Sequence, residues 1–140
     1  MTKSVFLTGA EDAKERLGPA LCLAKWKQVS LHLPTGLTNS CYHPPLHAID
    51  PDPLKTNPGA LHNTAYKKQQ RVIMLKQERP SECSYCWNIE NLGTNNISDR
   101  MYKSTNIDWS YSYLDRVIGS ASQGDVDPSY LEVAFDNTCN

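Results

Sequence analysis

This chain has almost no excess of charge of either sign. Its 140 residues carry a formal net charge of -1, with acidic and basic side chains interspersed rather than gathered in runs. That balance gives no electrostatic reason to expect nucleic acid, an acidic substrate or a membrane surface as a partner. Long hydrophobic runs are missing too. The opening residues Met1 to Thr8 hold too short an apolar stretch for a signal peptide, and no later segment reaches the length that spans a bilayer. A cytoplasmic location is the expectation. There is no internal repeat and no low-complexity segment. Secretory features are absent and the five cysteines are odd in number, which argues against a disulfide framework and leaves reduced thiols free for metal.

What the chain does contain is loop-forming chemistry. Nine prolines and seven glycines, together with a negative mean hydropathy, predict a loop-rich single domain with a thin core. Residues 10–17 read as a short helix stopped by Gly18-Pro19. Val29, Leu31 and Leu33 alternate with Ser30 and His32 as in a half-buried strand, and Pro34-Thr35-Gly36 turns it into a second strand ending at Cys41. Prolines 44, 45, 51, 53 and 58 exclude regular structure between Tyr42 and Gly59. Asn63 or Thr64 caps a helix to about Gln77, with Ala65, Val72 and Leu75 on its apolar face and Lys67, Lys68 and Arg71 largely elsewhere. Ser81 caps a further helix carrying Cys83, Cys86, Glu90 and Leu92, closed at Gly93. Residues 98–104 and 109–118 are weaker helices, 119–127 a connection, and Leu131, Val133 and Phe135 alternate as a strand.

The most constraining residues are the thiols. Cys22, Cys41, Cys83 and Cys86 precede a fifth cysteine, Cys139, near the end of the sequence. Thiolates are soft donors suited to iron, and Cys83 and Cys86, three apart on a helical turn, share one face. Gly36 provides the tight turn that brings Cys41 back toward the start of the hairpin. Lys25, Lys27 and Arg79, each near a cysteine in sequence, offset part of the negative charge that four thiolates would bring.

The order Cys22-x13-Gly36-x4-Cys41, then Cys83-x2-Cys86, resembles the twitch or SPASM-type auxiliary cluster domain of radical S-adenosylmethionine enzymes over about residues 22 to 104. The flanks add to it: Cys22-Leu23-Ala24-Lys25-Trp26, Cys83-Ser84-Tyr85-Cys86-Trp87-Asn88-Ile89-Glu90, and Ser98-Asp99-Arg100. The segment from Tyr130 to Asn140 resembles the first barrel strand of the radical S-adenosylmethionine core, reaching Cys139 as the first ligand of its three-cysteine motif.

The resemblance implies an α+β fold: a small loop-rich cluster-binding domain with a β-hairpin and short helices, followed by the first strand of a truncated (β/α) partial barrel. It divides the chain into an extension (1–21), the cluster domain (22–104), a helical linker (105–127) and the start of a core (128–140). It further implies an auxiliary 4Fe-4S cluster on Cys22, Cys41, Cys83 and Cys86, with Trp87 shielding it from water. The core's S-adenosylmethionine chemistry would begin with reductive cleavage and act on a substrate that in this family is often a peptide. The implied partners are the rest of that core, the substrate and a reductant protein. Cys139 alone cannot form the catalytic cluster, so the chain by itself is expected to be an inactive N-terminal fragment.

A structural zinc site is the competing reading. Cys41-x-His43 with His47 nearby offers mixed sulfur and imidazole ligands, so that a small binding module could be stapled by four cysteines or by cysteine and histidine together. His32 and His62 read as surface or turn residues, and Trp26, Trp87 and Trp109 as core anchors. Glu90 and Arg100 read as a structural salt bridge in preference to a substrate contact.

Overall fold

The computed structural model describes residues 15–93, 95–105, 113–119 and 124–136. Within them lie α1 (Ala24–Lys27), β1 (Gln28–His32), β2 (Leu37–Asn39), β3 (His47–Ala48), α2 (Pro51–Leu54), α3 (Ala65–Leu75), α4 (Ser84–Glu90), α5 (Asp99–Thr105), α6 (Leu114–Gly119) and β4 (Tyr130–Ala134), with single 3-10 turns at Pro58–Leu61 and Ser81–Cys83. The architecture is a small α+β domain with a four-stranded mixed sheet in the order β3-β2-β1-β4. The expectations for residues 10–14, Trp109 and Cys139 lie outside the described residues.

The expected hairpin is present. β1 and β2 pair antiparallel, with Ser30 opposite Asn39 and His32 opposite Leu37. Gly36, in the turn between them, holds a positive φ of 67°, where a Cβ would be strained. The alternation of β1 does not, however, expose one face. Gln28, Val29, Ser30 and Leu31 are all buried, because β1 is central, with β4 running parallel on its other edge from Gln28 opposite Tyr130 to His32 opposite Ala134. The strand read as opening a separate unit is thus hydrogen-bonded into the hairpin's own sheet. The preceding connection is fastened as well: Asn63 Oδ1 accepts from the Val126 amide at 3.0 Å, and Asn57 Nδ2 donates to Asp125 at 2.6 Å.

The proline-rich stretch is more regular than expected. Proline is tolerated in the first turn of a helix, where its missing N–H has no partner to lose. Pro51 starts α2 under the Asp50 cap, which accepts from the Asp52 amide, and Pro58 starts a 3-10 turn under the Asn57 cap, which accepts from Gly59. Ser81 makes no cap; it enters a 3-10 turn that joins α4 at Cys83. Helix α3 starts at Thr64, whose hydroxyl accepts from the Lys67 amide at 3.1 Å, and ends one residue before Lys76, with Gln77 left-handed at φ 60°.

The face that α3 buries differs from the expected one. Ala65 is exposed and Val72 and Leu75 are half-buried, whereas Lys67, Gln70, Arg71 and Met74 face inward. The neighbouring backbone explains the reversal. Arg71 Nε donates to the Lys25 carbonyl at 2.8 Å, its Nη1 to Asn63 Oδ1 at 2.8 Å and its Nη2 to the His62 carbonyl at 3.2 Å. A guanidinium with such partners is satisfied away from water.

Residues 20–31 are buried without interruption. From them Leu21, Cys22, Leu23, Ala24 and Trp26 enter a core completed by Leu17, Met74, Cys83, Cys86, Trp87, Met101, Leu114 and Val117, with Cys41 packed at its side. Three thiols therefore belong to the core itself. Among the described residues no helix is long and apolar enough to cross a membrane.

Candidate metal centre

Four local structures deliver the four cysteines. Cys22 ends the turn from Gly18, and Arg100 fixes that turn by donating from Nη1 to the carbonyls of Gly18 at 3.1 Å and Leu21 at 2.9 Å. Cys41 follows β2. Cys83 stands at the junction of the 3-10 turn and α4, and Cys86 one turn into α4. All four line a single cavity of about 20 Å³, together with Lys25, His43, Trp87, Asp99, Arg100 and Lys103. One water needs about 10–15 Å³, so the space enclosed between the thiols is about that of one water or one ion.

The thiols are free and reduced, with Cys22, Cys83 and Cys86 buried and Cys41 half-buried. Burial, then the proximity of Cys22, raises Cys41 to about 11. Burial raises Cys83 to about 12 against the pull of Lys25, with Cys22, Glu82 and Cys41 adding to the rise. Burial and then a backbone hydrogen bond from Arg100, which acts the other way, govern Cys86, whose net shift is upward. Because sulfurs from three separate chain segments line one cavity, ionising one makes ionising the next harder. Among the described residues no three His, Cys, Asp or Glu side chains are grouped tightly enough to hold one ion as they stand. As a donor set the four cysteines are soft and thiol-only, which fits iron-sulfur ligation.

Cations border this cavity, though not quite those expected. Lys25 is buried in an ion pair with Glu82. Burial acts to lower its proton affinity, but the charges of Cys83 and Glu82 outweigh it and the net shift is upward. Lys27 points elsewhere, donating to the Asp127 carbonyl at 3.1 Å and lying 3.4 Å over the Tyr113 ring. Arg79 donates to the Pro19 carbonyl at 2.9 Å and lies against Trp87. In their place helix α5 brings Arg100 and Lys103, which sequence spacing did not single out as neighbours of the sulfurs. The only signal was the three-residue step from Arg100 to Lys103, which places both on one side of a helix.

Trp87 lines the cavity, buried, its indole N–H on the Pro80 carbonyl at 2.7 Å. Gly36 shapes the hairpin turn and is not a lining residue. Of the two histidines of the zinc reading, His43 lines the cavity, bonded to Asp99 Oδ2 at 2.8 Å and stacked on Tyr85 with ring centroids 3.8 Å apart. His47 is bonded to Thr64 at 2.8 Å and does not line it. His62, read as a surface residue, is buried at 3% exposure, with Nε2 at 2.8 Å from the Trp26 carbonyl. Glu90 and Arg100 form a charge-paired, doubly hydrogen-bonded contact that Ser98 joins at 2.9 Å.

No family model, curated protein or solved structure gives a match to this chain.

Proposed function

We propose that Cys22, Cys41, Cys83 and Cys86 together hold a 4Fe-4S cluster, and that the chain serves a radical S-adenosylmethionine enzyme as its auxiliary cluster domain. The observation that carries this reading is the gathering of four free thiols around one small cavity bordered by buried cations. When bound, such a cluster supplies one-electron transfer.

The chain's own residues do the rest. Four thiolates leave no open protein-side position, which favours electron relay or scaffolding over direct substrate ligation. Lys25 and Arg100, each already paired with a carboxylate, hold positive charge beside the sulfurs without adding net charge to the fold. Trp87 and Met74 close the apolar walls against water. Tying Cys22, Cys41 and the Cys83–Cys86 segment to one centre also adds folding free energy to a loop-rich chain.

Anaerobic reconstitution tests the proposal. Iron and sulfide at about four each per chain, with a brown absorbance that Cys83→Ala and Cys86→Ala both abolish, are the results expected. Uptake of one colourless zinc in preference to iron, with no inorganic sulfide, overturns it in favour of the zinc staple.

A further inference from the structure

Three cations line the cysteine cavity, and their charged ends are not equally engaged. Lys25 is spoken for by Glu82 and Arg100 by Glu90 and two backbone carbonyls. Lys103 is different. It is 9% exposed, and its Nζ is fully shielded from solvent and has no hydrogen-bond partner among the described residues. Asp99 Oδ2 lies 3.2 Å away as an ion-pair contact at an angle that makes no hydrogen bond, and the same oxygen is taken by His43 at 2.8 Å. The ammonium also lies over the Tyr42 ring, whose centroid is 4.7 Å away.

A buried ammonium with unused donors is costly unless something nearby accepts from it. The acceptors that the cavity would offer when loaded are sulfurs. Cys41 is the nearest candidate in electrostatic terms, since the Lys103 charge is among the influences that favour its thiolate.

We infer that Lys103 is a positioning residue for the cluster, donating hydrogen bonds and fixed positive charge to the sulfur on the Cys41 side and thereby raising the reduction potential. The inference rests on the cluster reading above. Reduction adds a negative charge to an already anionic group, so a desolvated cation lining the same cavity stabilises the reduced state more than the oxidised one. Asp99 opposes this by drawing the ammonium toward itself. Lys103 and Asp99, one helical turn apart on α5, therefore act as a pair with opposite effects on the potential.

The test is a dithionite redox titration of the full 140-residue chain after anaerobic reconstitution, followed by electron paramagnetic resonance. Lys103→Met is expected to load iron and sulfide as the unaltered chain does and to shift the midpoint to more negative potential. Lys103→Arg should return it most of the way, and Asp99→Asn should shift it in the positive direction. A loaded Lys103→Met protein with an unchanged midpoint overturns the inference and leaves the cluster reading standing. If Lys103→Met fails to fold, Lys103→Gln decides in its place, an unchanged or raised midpoint being the overturning result. If the unaltered chain takes up no iron and sulfide, the cluster reading fails, and this inference fails with it.

Discussion

Arg100 clasps the Glu90 carboxylate through Nε at 3.0 Å and through Nη2, and its remaining nitrogen, Nη1, holds the carbonyls that lead into Cys22. One guanidinium thus connects helix α5, the end of helix α4 and the turn that presents a candidate ligand. Burial acts to raise the Glu90 proton affinity, but hydrogen bonds and charge from Arg100, with Ser98, outweigh it and hold the carboxyl below its ordinary range. The pair's stability is therefore present at neutral pH and is lost as pH falls through that lowered value. Removing one partner of such a pair costs about 3–5 kcal/mol, because the other charge stays buried and alone. Arg100→Met is expected to lose stability of that order in urea unfolding at pH 7, since it strands the Glu90 carboxylate and removes the donor to the Gly18 and Leu21 carbonyls. An Arg100→Met chain as stable as the original would show that the clasp does not hold the turn.

His62 gives a second pH dependence of known sign. Its Nε2 lies 2.8 Å from the Trp26 carbonyl and so carries the proton, while Nδ1 is buried without a partner among the described residues. Burial first, then the Arg71 charge, pushes the ring down to about 3 from 6.5. The unfolded chain takes up a proton that the folded chain refuses, so stability is complete above about pH 6.5 and falls toward pH 3, at about 1.4 kcal/mol per pH unit from this ring. Half-buried His47, lowered to about 4 by burial and the Lys67 charge, adds slope in the same sense. Denaturant midpoints measured from pH 7 to 4 should therefore fall less steeply in His62→Gln than in the unaltered chain. Equal slopes would mean that the ring is not held neutral.

The elements legible in the sequence were those set by local chemistry. Thr64 announced a helix because a hydroxyl before a helical segment caps it, and Gly36 announced a hairpin because the turn needs a positive φ. The gathering of the cysteines had no local signal; it was expected from a resemblance, and only the packing of residues 20–31 beneath α4 and α5 brings the thiols to one cavity. The inward stripe of α3 was misread for a physical reason. Lys67, Arg71 and Met74 fall at the spacing of a buried face, but charge is ordinarily assigned to water. The acceptors that make their burial tolerable come from Lys25, Thr38, His62 and Asn63, which no window around α3 contains in full.

Lys67 exposes the cost of that arrangement. Its Nζ donates to Thr38 Oγ1 at 2.8 Å in a fully buried setting with no ion pair among the described residues. Burial, reinforced by repulsion from Arg71 and Lys25, brings it down to about 7 from 10.5. The unfolded chain binds the extra proton through that interval, so stability from this residue rises with pH between about 7 and 10.5. Thr38 does not depend on the lysine, because its own hydroxyl donates to the Ser30 carbonyl at 2.7 Å. Lys67→Met, close in volume and uncharged, is accordingly expected to stabilise the fold at pH 7 by about 1–4 kcal/mol, with the gain shrinking toward pH 10. Thermal melts at pH 7 and pH 9.5 measure both effects, and a loss of stability at both would mean that the ammonium has partners worth more than its burial.

The thiols carry the last expectation. With Cys41 raised to about 11 and Cys83 to about 12, both are protonated in the free protein at neutral pH. A metal binds the thiolate, so each of these sulfurs must release a proton when it becomes a ligand. Uptake is therefore favoured as pH rises, and because the thiols are held above the ordinary range the dependence continues past pH 9 instead of levelling there. Cobalt(II), whose thiolate charge-transfer absorption reports ligation directly, is a suitable probe under anaerobic conditions. Its apparent affinity should climb from pH 6 to pH 9, with acid appearing in unbuffered solution in step with the absorbance. Cys41→Ser should weaken binding and flatten the climb, since one of the protons to be displaced is gone. Affinity that stays level across this range would mean that the buried sulfurs are not the groups taking up the metal.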